Sequence, residues 1–105
     1  MTTVVQKTWV VPQDHPVFVG HFPEHPVVPG ALLLQVAIAM WQEQNADPAG
    51  SWQVQSAKFL QACGPGTVLD FALQARNTRT VDGSIRAGDA VVAQVVLQWE
   101  SAVHG

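Results

Sequence analysis

The sequence predicts an α+β domain in which a curled antiparallel sheet of about five to six strands wraps one central buried helix. Three observations carry that expectation. Residues 31–41 form an apolar run whose single polar residue is Gln35. A run of that length after Pro29-Gly30 reads as a helix that is hydrophobic all round, which is stable only when other elements cover it. Everything after Ser51 reads as strand, divided by Gly64-Pro65-Gly66, Asn77-Thr78 and Gly88-Asp89. Pro12, Pro16, Pro23, Pro26 and Pro29 fall within eighteen residues, a density that excludes helix and favours an extended, rigid loop.

The elements follow in order. Residues 3–11, rich in β-branched Val and Thr with Trp9 among them, make a first strand that stops at Pro12. The helix runs from about Gly30 to Gln44 and ends before the breaker Asn45-Ala46-Asp47-Pro48-Ala49-Gly50. Strands are expected near 52–62, 67–76, 80–86 and 90–99. Asp82-Gly83 competes with Gly88-Asp89 as the turn that closes the last hairpin. In the last strand Val91, Ala93, Val95 and Leu97 alternate with Val92, Gln94, Val96 and Gln98, so one face is fully apolar.

Length and composition narrow the function classes. A chain of 105 residues with 48% apolar content supports a single domain over 1–105. No apolar stretch reaches the ~20 residues of a membrane span, and Met1-Thr2-Thr3 lacks the basic-then-apolar order of a signal peptide, so a cytoplasmic location is expected. The net charge of −3, with five Lys and Arg, provides no basic stripe for nucleic acid. Charged residues make up 12% of the chain, against about a quarter in ordinary soluble domains, which points to a surface covered by another subunit and hence to a homodimer or higher homo-oligomer. Cys63 is the one cysteine, which rules out an internal disulfide, and it reads as a small buried hydrophobe. Trp9, Trp41, Trp52 and Trp99 read as core or subunit-contact residues.

The candidate chemistry lies at the helix start. No Ser, Thr, Asp or Asn precedes the helix, so its first backbone N–H groups are free to bond a ligand oxygen at the positive end of the helix dipole. Gln35 reads either as a satisfied core amide or as a polar group beside a cavity, and the small flanks Ala31 and Ala39 favour the cavity. His21, taken alone, is also a loop histidine that caps a turn. His15, His21 and His25 are held apart by Pro16, Pro23 and Pro26, and no acidic or cysteine cluster completes a tetrahedron, so no metal is expected. His104, near the end of the chain, reads as solvated.

The stretch from His15-Pro16 through Gly20-His21-Phe22-Pro23, then Pro26, Pro29-Gly30 and an apolar helix, resembles the 3-hydroxyacyl-ACP dehydratases, which have the hot-dog fold. Lys58-Phe59 followed by Gly64-Pro65-Gly66 extends the likeness, which covers most of the chain from Asp14 onward. It implies dehydration of a 3-hydroxyacyl thioester, bound to acyl carrier protein or CoA, to a 2-enoyl thioester in fatty-acid-like synthesis. Neither cofactor nor metal is implied. His21 takes the place of the catalytic histidine, the Gly30 N–H that of the donor to the thioester carbonyl, and Ala31 and Phe22 line the substrate. Fourteen residues after the histidine the family carries Glu or Asp, projecting into the neighbouring subunit's site; here that position is Gln35.

Dehydration needs a base for the C2 proton, a donor for the departing hydroxyl and a dipole for the enolate-like oxygen. An imidazole near its ordinary pKa of ~6.5 suits the first and free helix N–H groups the third. An amide cannot ionise, so Gln35 can only hold the hydroxyl or a water by hydrogen bonds. Two other activities fit the same residues: an acyl thioesterase, with Gln35 positioning water, and a catalytically silent acyl-binding subunit that pairs with a carboxylate-bearing homologue.

Overall fold

The computed structural model describes residues 3–13, 28–45 and 50–101. Among these, one helix and five strands follow the order β1 (Val4–Val10), α1 (Gly30–Gln44), β2 (Gly50–Phe59), β3 (Val68–Ala75), β4 (Thr80–Ala87) and β5 (Ala90–Ser101). All pairings are antiparallel, and the sheet order is β1-β3-β4-β5-β2. The curled sheet with one helix is the predicted architecture, with five strands.

One face of the sheet is apolar. Val5, Leu69, Phe71, Leu73, Val81, Ile85, Ala93, Val95 and Leu97 are buried there, opposite Leu33, Ala37, Met40 and Trp41 of α1. Those four helix positions recur at the spacing of a single stripe, and each large apolar side chain so buried contributes about 1.5–3 kcal/mol. Trp9 packs edge-on against Phe71, with ring centroids 6.4 Å apart, and Trp52 meets Trp99 at 5.5 Å across β2 and β5. The helix spans this face from Phe59 at the end of β2 to Lys7 of β1, which pairs with Glu43. Both partners of that pair are about half exposed, so it adds little stability.

The structure decides the competing turns. Ala87 pairs with Ala90, so Gly88 and Asp89 close the β4–β5 hairpin, with Gly88 at φ +60° in the left-handed region. Gly83 lies inside β4, paired with Leu73 and Val95. Asn77 shapes the preceding turn: its side-chain oxygen accepts from the N–H groups of Arg79 and Thr80, both at 2.9 Å.

One expectation needs correction. The alternation predicted in β5 breaks at a register shift: Ile85 pairs with Ala93 but Arg86 with Val91, leaving Val92 as the extra residue. Val92 is therefore buried in place of Val91. Among the described residues, the sheet covers one side of the helix. Only the stripe of Leu33, Ala37, Met40 and Trp41 is buried, Leu32, Leu34, Val36 and Ile38 are partly covered, and Ala31, Gln35 and Ala39 are exposed.

Candidate active site at the start of the helix

Helix α1 begins without a cap. Pro29 stands at the N-cap in extended conformation, φ −64° and ψ 141°, with no side-chain cap hydrogen bond. Proline fixes this entry, and the first turn closes through the Leu32 N–H donating to the Pro29 carbonyl at 3.0 Å. The N–H groups of Gly30 and Ala31 precede that bond, at the positive end of the dipole. No acidic side chain occupies the first turn.

The segment after β2 forms the floor beneath this start. Leu60 and Gln61 donate to the carbonyl of Val92 at 2.8 and 3.3 Å, so the β5 bulge pins the segment, and Val28 donates to the Cys63 carbonyl at 2.8 Å. Between helix and segment lies a pocket of about 260 Å³, lined by Val28, Gly30, Leu33, Phe59, Leu60, Gln61, Ala62 and Cys63. Its walls are apolar apart from Gln61 and the Cys63 thiol. Cys63 is half-buried rather than fully buried, and that burial pushes its thiol up from the ordinary range. Broader grooves on the opposite face of the sheet, lined by residues such as Gln6, Ser84 and Gln94, lie apart from the helix start.

The sequence-predicted residues separate into three groups. Gly30 lines the pocket. Ala31 and Gln35 do not; both are exposed on the outward face of α1. The reason is geometric, since Gln35 lies two residues beyond the buried Leu33 and therefore about 200° around a helix of 3.6 residues per turn. His21 and Phe22, with His15, His25 and His104, lie outside the described residues.

Sequence reasoning passed over Phe59 as a site residue. Its ring crosses Gly30 so closely that an added Cβ there would stand 2.6 Å from its Cζ. The pairing of Lys58-Phe59 with Gly64-Pro65-Gly66 marks the segment in the sequence but says nothing of the contact with the helix.

The sequence matches the ApeI-like family, described as ApeI dehydratase, over residues 2–95. The chain belongs to the ApeI-like dehydratases. A curated relative, the 3-hydroxyacyl-[acyl-carrier-protein] dehydratase FabZ of Chlamydia caviae, is 31% identical over 106 residues, covering 92% of this chain and 68% of its own. Among solved structures, the dehydratase heterocomplex ApeI:P from Xenorhabdus doucetiae superimposes with a TM-score of 0.81 at 17% identity, over 92% of this chain and 87% of the other. The fluoroacetyl-CoA-specific thioesterase FlK superimposes with a TM-score of 0.66 at 16% identity, over 94% of this chain and 86% of its own. These two likenesses establish the hot-dog fold. Family membership makes this ApeI-like protein a dehydratase-type hydro-lyase. None of its described helices is long and apolar enough to cross a membrane.

Proposed function

We propose that this ApeI-like dehydratase converts 3-hydroxyacyl thioesters, carried on acyl carrier protein, to 2-enoyl thioesters in a cytoplasmic, fatty-acid-like synthesis, at a site shared between two subunits. The observation that carries the shared site is the separation of Gly30 from Gln35. Gly30 opens onto a pocket of its own chain while Gln35 faces away from it. A single chain therefore leaves its amide free to reach a neighbour's site. Strand β2 supports the same reading, because it is an edge of the sheet and carries half-exposed Val54 and Phe59. An open edge with exposed apolar side chains invites a partner.

The chemistry assigns a role to each group. The thioester carbonyl accepts from the Gly30 N–H, which stabilises the negative charge that develops on that oxygen when the C2–H bond breaks. His21 takes the C2 proton on an imidazole nitrogen. The electron pair forms the C2=C3 bond as the C3–O bond breaks, and the leaving hydroxyl departs as water with the proton returned by His21. Gln35 of the neighbouring subunit holds that hydroxyl by hydrogen bonds. A carboxylic acid there would add part of the ~10²–10⁴-fold usually due to general acid–base help, so elimination through His21 alone is slow.

A second reading has one observation in its favour. The Xenorhabdus structure is the dehydratase heterocomplex ApeI:P, and a homologous partner with a carboxylate at the position of Gln35 would supply the missing acid. The thioesterase reading rests on fold likeness alone.

Turnover of a 3-hydroxyacyl thioester by the wild type and His21→Ala, followed by enoyl absorbance, tests the assignment. Loss of turnover in a folded His21→Ala protein is expected; activity within a few-fold of wild type places the base elsewhere.

A further inference from the structure

Phe59 ends β2 with 49% of its surface exposed, and its ring lies flat enough across the helix start that a Cβ at Gly30 would meet Cζ at 2.6 Å and both Cε atoms at 2.8 Å. The same ring forms one wall of the pocket beside Gly30, whose remaining walls include Val28, Leu33, Leu60 and Ala62. A volume of about 260 Å³ falls below the ~300–1,000 Å³ of sites that enclose a whole drug-sized ligand. Only one part of an acyl thioester fits, and apolar walls select its hydrocarbon end.

We propose that Phe59 is the specificity-determining residue of this dehydratase, closing the pocket beside Gly30 so that the enzyme accepts short acyl chains. The inference rests on the dehydratase reading, which places the thioester carbonyl at Gly30 and so directs the acyl group toward Phe59. Gly30 and Phe59 act as a pair: a side chain at 30 would push the ring off its seat, and a smaller side chain at 59 would open the wall. The backbone that carries the ring is fixed on both sides, by the β2–β5 ladder up to the Phe59–Ala93 pair and by the bonds of Leu60 and Gln61 to the Val92 carbonyl.

The test compares wild type, Phe59→Ala and Phe59→Leu on 3-hydroxyacyl thioesters of four to twelve carbons. Binding of the matching non-reactive thioethers is measured by calorimetry beside turnover. Wild type is expected to bind up to a sharp length limit, and Phe59→Ala to move that limit by at least two carbons. The preference for long over short chains should rise at least ~10-fold, within the range that one methylene commands in an apolar pocket. Phe59→Leu should fall between the two, and it carries the test if Phe59→Ala does not fold. Uniform weakening at every length, an unchanged profile, or no binding by wild type overturns the proposal. Because binding is read apart from turnover, a wild type that binds the thioethers but dehydrates nothing defeats the dehydratase reading while the length profile still judges Phe59.

Discussion

The backbone N–H of Val28 donates to the carbonyl of Cys63 at 2.8 Å, tying the entry of α1 to the segment that leaves β2. This bond holds the floor and roof of the pocket together and sets the Cys63 thiol in its wall. The half-buried thiol is pushed up from its ordinary pKa by desolvation, so the neutral form persists to higher pH than in the unfolded chain.

The first prediction follows from that shift. At pH 8 iodoacetamide should label native Cys63 more slowly than the same chain in urea, since the thiolate is the reactive form. A raised pKa moves the rise in rate to higher pH, so the native profile should lie to the alkaline side of the denatured one. Equal rates at pH 8 would show that the thiol is not held in the pocket wall.

The second concerns Gly83, which resembles a turn residue in the sequence. A Cβ there would stand 2.7 Å from Val95 Cγ2 and 3.0 Å from Leu73 Cδ2, inside the core. Gly83→Ala should cost about 1–3 kcal/mol by overpacking and lower the melting temperature by roughly 5–15 °C. Gly88→Asn, at a true turn with nothing within 4 Å, should cost under ~1 kcal/mol because Asn tolerates the left-handed region. Thermal melts of the two variants side by side decide the point, and an undisturbed Gly83→Ala contradicts the packing of β4.

Much of this fold could be read from residue order. The helix bounds, Gly30 to Gln44, follow from Pro29-Gly30 at one end and Asn45 at the other, and each strand lies close to its apolar pattern. The bulge at Val92 could not be read, because it arises from a mismatch in register between β4 and β5 that neither strand encodes alone. The exposure of Gln35 was hidden for another reason. An all-round apolar helix states that it is covered but not whether the cover is its own sheet or a second chain. Gly30 suggested a ligand site through its missing cap, whereas Phe59 became part of that site only when the fold brought β2 to the helix start.

The third prediction addresses assembly. Val54 is 46% exposed on the edge strand β2, on the face that it shares with Leu97. Wild type should sediment as a dimer at micromolar concentration, and Val54→Asp should shift it toward monomer by placing a charge in a buried contact. Dehydration should fall with the dimer fraction, since the site needs both chains. A fully active monomer would remove the shared site.

The most direct measurement concerns Gln35. Gln35→Glu keeps the size of the side chain and adds the ionisable group that the amide lacks. The rate of 3-hydroxyacyl thioester dehydration, followed by enoyl absorbance for both forms at equal dimer concentration, should be slow in wild type and at least ~10-fold faster in Gln35→Glu. A wild type and a Gln35→Glu variant that both bind the thioester and dehydrate none of it would contradict the account.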